Sequence, residues 1–129
     1  MTSFLNKLNK MPILAFVAGV MYKFLAMEPK KVIGESMEPT LISGDLVIID
    51  KLTYVYRRPA IGDVIAFWMS NEKVAIKRIG EIEDQDIYVI GDNTKVSNDS
   101  RSYGPIPRED VIGKALLIFF PFGRMRLVS

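Results

Sequence analysis

The sequence contains no cysteine and no histidine. Without cysteine there is no disulfide framework and no thiolate nucleophile. Without histidine there is no Ser–His or Cys–His couple, and the commonest zinc ligand is missing. Any nucleophile here must be activated by Lys, Asp, Glu or Tyr. An excess of one charge is also absent: 17 Lys and Arg stand against 15 Asp and Glu, a net +2. That balance, with no long basic run, argues against a nucleic-acid partner. Nothing in the composition calls for a metal or an organic cofactor.

Long hydrophobic runs are scarce too. The longest charge-free apolar stretch is Met11–Tyr22; Lys23 interrupts it and Phe24–Met27 resumes it. Residues 11–27 are 17 positions, the lower limit for crossing about 30 Å of hydrocarbon. Lys23 lies near one end, where its stem can snorkel. The segment reads as a membrane anchor helix, spanning or shallow, behind a polar tail at 1–10. A cleaved signal peptide and a core-packing amphipathic helix are the alternatives. Lys7 and Lys10 on one side face Lys30 and Lys31 on the other, so charge does not set the orientation.

What is present points to one β-rich domain over 28–129, within the size of a single core. Gly44-Asp45 precedes Leu46–Ile49, and Gly62-Asp63 precedes Val64–Trp68. Val74–Ile76, Ile87–Ile90 and Val111–Phe120 read as further strands. Short apolar runs between Gly, Pro, Asn and Asp predict antiparallel meanders.

Three segments can carry chemistry. In Gly34-Glu-Ser36-Met-Glu-Pro39, Gly34 permits an unusual backbone and Pro39 stiffens the exit, so Ser36 is presented on a turn. In Val74-Ala-Ile-Lys77-Arg78, Lys77 ends an apolar stretch, where desolvation favours the neutral amine a base requires. Lysine titrates; Arg78 stays charged. Gly91 through Gly104 is dense in turn-forming residues, with Asp99 and Arg101 placed for a local ion pair. Each segment alone also fits an ordinary loop or edge strand.

Together the blocks Gly34–Thr40, Gly44–Val47, Lys77–Gly80 and Gly91–Gly104 resemble the type I signal peptidase family, in order, across 28–129. The resemblance implies a compact antiparallel β-barrel-like catalytic domain, all-β, behind one N-terminal apolar helix. It implies a serine endopeptidase with Ser36 as nucleophile, Lys77 as general base and Ser97 orienting the lysine. The Ser36 backbone N–H would donate to the oxyanion. Some relatives add a hydroxyl at the position occupied here by Gly34. Arg78, Asp99 and Arg101 would brace the site. Ile33, Gly34, Met37 and Ile76 would bind substrate, with 32–35 pairing it as an added strand. The implied partners are preprotein signal peptides, cut after a small residue of the Ala-x-Ala type, and a lipid bilayer; no cofactor or metal is implied. The implied form is a monomer at a bacterial plasma membrane with the catalytic domain outside, or at an organellar inner membrane. Two other peptidase readings remain open: a soluble self-cleaving repressor-type Ser–Lys peptidase and a maturation protease dedicated to one exported protein. A non-enzymatic β module at a membrane is the third alternative.

Overall fold

A computed structural model describes residues 2–69 and 72–129, with side chains described for 12–69 and 72–129. The chain opens with helix α1, Thr2–Leu25, which takes in the segment read as a polar tail. The side chains of Lys7 and Lys10 lie outside the described residues. Pro12 sits inside the helix, where it removes one backbone donor. No described helix is long and apolar enough to cross a membrane. Ile13, Leu14, Phe16, Met21, Phe24 and Leu25 are all exposed, and Phe24 keeps 72% of its surface. The described part of α1 therefore does not pack into the core.

Eight strands follow: β1 Met27–Lys31, β2 Leu46–Asp50, β3 Val64–Trp68, β4 Val74–Glu83, β5 Asp86–Ile90, β6 Ile106–Pro107, β7 Val111–Phe120 and β8 Arg126–Leu127. Their order is β1-β2-β7-β3-β4-β5-β6, all pairs are antiparallel, and β8 pairs with the second half of β7. The sheet is open, with β1 and β6 at its edges, so the expected β-barrel-like domain is corrected to an open antiparallel sheet. The edges lend themselves to this. Pro29 in β1 has no N–H to offer a neighbour, and β6 ends at Pro107 after two residues.

β3 is central and buried on both faces. Val64 and Ala66 join one apolar cluster with Met37, Leu41, Val47, Ile49 and Ile118. Ile65 and Phe67 join the other with Ile79, Ile87, Val89 and Ile106. This is why Val64–Phe67 is a continuous apolar run instead of an alternating one. Two single-turn helices complete the domain, α2 at Thr53–Tyr56 and α3 at Ser100–Tyr103.

Candidate active site

The turn that carries Ser36 is fixed at both ends. Val32 N–H donates to the Asp45 carbonyl at 2.8 Å, and Gly44 N–H donates back to the Val32 carbonyl at 2.8 Å. Asp45 is buried; it takes two hydrogen bonds from Arg124, at 2.8 and 2.9 Å, and one from the Ile42 amide. The Arg124 guanidinium holds its carboxyl below the usual range despite burial. Gly34 has φ +89°, a conformation other residues resist. Behind the turn, Leu41 N–H reaches the Met37 carbonyl, and Met37 anchors in the first apolar cluster.

Lys77 comes from the other wall. It pairs with Ile65 in β3, and the β4–β5 register begins only at Arg78. Val74–Lys77 is thus bonded on one side and open on the other. Lys77 keeps 7% of its surface, and its Nζ lies 2.5 Å from Ser36 Oγ. Burial pulls its pKa down, and the Asp99 carboxylate opposes that to a lesser degree. The result is a desolvated amine in hydrogen-bond contact with a hydroxyl, the geometry of a nucleophile and its base.

The Gly91–Gly104 block wraps the pair. Asp99, 1% exposed, caps α3 through the Arg101 amide. It also accepts from Arg101 Nε at 2.8 Å and Nη2 at 2.6 Å, from Gly91 N–H at 2.9 Å and from Ser97 Oγ at 2.7 Å. Arg101 is the main reason its carboxyl stays far below the ordinary value. The expected bond from Ser97 to Lys77 is not made among the described residues; the Ser97 hydroxyl donates to Asp99 instead.

Three residues of this block were not assigned roles from the sequence. Gly91 is pressed between the dyad and its support: a Cβ there would stand 2.1 Å from Ser97 Oγ and 2.6 Å from the Ser36 carbonyl oxygen. Asp92 takes a fork of two 2.8 Å bonds from Arg78 Nε and Nη2 and accepts from the Thr40 hydroxyl. It thereby ties the neighbour of Lys77 to the exit of the Ser36 turn. Asn93 completes the link, its amide donating to the Ser36 carbonyl at 2.9 Å. The signal available in the sequence was the Gly-Asp-Asn run itself, inside the most distinctive block.

A cleft of about 190 Å3 opens beside the dyad, lined by Lys30–Ile33, Ser36, Met37 and Val74–Lys77. Ile33, Met37 and Ile76, expected from the sequence to bind substrate, all line this cleft. Gly34 is not among the lining residues; it shapes the turn.

Comparison with known proteins points to one family. Residues 5–82 and 76–120 match the family model described as signal peptidase, peptidase S26. A probable signal peptidase I-1 from Synechocystis sp. is 27% identical over 85% of this chain and 80% of its own length. The thylakoidal processing peptidase 1 of Arabidopsis thaliana is 25% identical over 83% of this chain, which spans only 46% of that relative. The mitochondrial ATP-independent inner membrane protease subunit 1a of Arabidopsis thaliana is 29% identical over 72% of each chain.

Proposed function

The chain belongs to the signal peptidase family, peptidase S26, a family of serine endopeptidases, and we propose that it removes signal peptides from preproteins with Ser36 as nucleophile and Lys77 as general base. The observation that carries this reading is the 2.5 Å contact between Lys77 Nζ and Ser36 Oγ, made by a lysine whose charged form is disfavoured by burial. Neutral Lys77 takes the hydroxyl proton as Ser36 Oγ attacks the scissile carbonyl. The resulting ammonium gives that proton to the leaving amine, and water then releases the acyl group with Lys77 again as base. Asp99 lies close enough to favour the transient ammonium. Ser97 acts on Lys77 through Asp99, and not by a bond of its own.

The Ser36 N–H donates to the oxyanion; it has no acceptor among the described residues. Gly34 brings no hydroxyl, so a second donor would be a backbone amide or water. The substrate lies extended in the cleft between 32–35 and the open side of Val74–Lys77. Met37 and Ile76 bound the pocket for the small residue before the cut, in an Ala-x-Ala type sequence. Arg78, Asp99 and Arg101 hold the walls together.

The exposed apolar side chains of α1 support association with a bilayer. The names of the relatives place them at thylakoid and mitochondrial inner membranes or among bacterial signal peptidases. For this chain we take a bacterial plasma membrane, catalytic domain outside, with the protein acting as a monomer. An organellar inner membrane is the second reading of location, favoured by the 29% identity to the mitochondrial relative.

The test is cleavage of a preprotein panel by the full chain in detergent, with cut sites mapped. Ser36→Ala and Lys77→Ala should each lower kcat/KM by about a thousandfold or more while the fold persists. Near-normal activity of Lys77→Ala at neutral pH would overturn the dyad.

A further inference from the structure

Every charged residue lining the cleft beside the dyad is a lysine: Lys30, Lys31 and Lys77. No carboxylate lines it among the described residues. Lys77 is taken up by Ser36. Lys30 sits 3.2 Å from Glu28, which also holds Lys51 at 2.9 Å. Lys31 has no carboxylate within ion-pair distance among the described residues, and its side chain is exposed. Both lysines are carried by β1, the strand at the sheet edge, just before the 32–35 segment.

We propose that Lys31 selects substrates bearing an acidic side chain a few residues before the scissile bond. This rests on the proposed peptidase function and deepens it by naming a substrate class. An extended chain advances about 3.3 Å per residue, so the five positions from Lys31 to Ser36 set a span of three to six substrate residues at most. An aspartate or glutamate there meets an ammonium with no carboxylate partner among the described residues. A lysine at the same place meets like charge. Anionic lipid is the other chemistry a free lysine can serve. The peptide is favoured because Lys31 opens onto the same cleft as Ser36.

The experiment uses the full chain in uncharged detergent and matched Ala-x-Ala peptides carrying Asp, Asn or Lys at each of positions three to six before the cut. The readout is the Asp-to-Lys ratio of kcat/KM within one enzyme preparation, which partial misfolding leaves unmoved. At one position the ratio should reach about threefold to tenfold, carried mainly by KM and shrinking as salt is raised. In Lys31→Glu it should invert. Peptide affinity is measured in parallel by anisotropy on Ser36→Ala, with and without Lys31→Glu. A ratio near one at every position, or one unchanged by Lys31→Glu, overturns the proposal; so does a Lys31→Glu effect confined to binding of anionic vesicles. A binding preference that inverts while the wild-type chain cleaves no peptide supports the cleft's selectivity and removes the peptidase reading instead.

Discussion

Replacing Gly91 by alanine tests whether the block after β5 positions the dyad or merely closes a loop. The ideal Cβ would lie 2.6 Å from the Ser36 carbonyl oxygen and 2.1 Å from Ser97 Oγ, where ordinary contact begins at 3.4 Å. Ser97 can rotate away, at the cost of its bond to Asp99. The Ser36 carbonyl cannot, because it is backbone and is held by the Asn93 amide. The two loops must part by about 0.8 Å, the difference between 3.4 and 2.6 Å. Added to a 2.5 Å contact, that leaves Ser36 and Lys77 at the margin of hydrogen bonding. A misplacement of about 1 Å costs about a hundredfold in rate. Overpacking costs about 1–3 kcal/mol of stability, a fall in Tm of about 3–15 °C for a chain of this size. Gly80→Ala is the control: its Cβ would meet only the Ile90 side chain, at 3.3 Å or more, with no backbone atom in the way. The assay is kcat/KM on an Ala-x-Ala substrate well below either Tm, with Tm measured separately. Gly91→Ala should lose about a hundredfold and Gly80→Ala no more than about threefold. Equal activities in the two variants would refute the positioning argument.

Two further predictions concern charge. Arg101→Ala leaves the Asp99 carboxylate without its main counter-ion, so Lys77 is held protonated to higher pH. Its pH–rate profile should therefore move its acid limb upward: activity falls several-fold at pH 7, recovers as pH rises, and is partly restored by Arg101→Lys. An unmoved limb would remove the electrostatic role of that pair. Lys77→Met should abolish cleavage yet raise Tm at neutral pH by about 2–8 °C, since an apolar side chain suits a desolvated site. The sign follows from linkage. With its folded pKa below the ordinary 10.5, Lys77 penalises the fold wherever the unfolded chain still holds the proton. The gain should therefore fade as pH approaches 10.5; a Tm unchanged or lowered at pH 7 would show that the amine is not desolvated.

The strands legible in the sequence are those whose burial dictates their residues. β3 shows as Val-Ile-Ala-Phe because both faces meet apolar clusters. β7, Val111–Phe120, carries its partners along its whole length. β1, reading Met-Glu-Pro-Lys-Lys, was not legible, because an edge strand need not be apolar and tolerates proline. β6 and β8, two residues each, have too little pattern to detect. Barrel closure was expected from family likeness alone, and no residue pattern required it. At the site, Ser36 and Lys77 stand forty-one residues apart, and their 2.5 Å contact depends on a register no local pattern encodes. The bond from the Ser97 hydroxyl to Asp99 was not legible for a related reason. Asp99 was recognised as an ion-pair partner of Arg101, but not as a buried acceptor that also commands its neighbours within the block.

Two carboxylates of the block that wraps the dyad resolve an apparent conflict in its design. A lysine base must be neutral, and nearby anions favour its ammonium. Yet the block that positions Ser36 is built on Asp92 and Asp99. Each is answered by its own arginine in two bonds: Asp92 by Arg78, at 2.8 and 2.8 Å, and Asp99 by Arg101, at 2.8 and 2.6 Å. Arginine suits this task because it forks onto a carboxylate and does not titrate. The acids can then act as hydrogen-bond hubs for Thr40, Gly91 and Ser97 while most of their field is cancelled. What reaches Lys77 is a residual attraction from Asp99, smaller than the effect of burial. That residue of charge is useful only after the proton has moved, when the ammonium needs a partner.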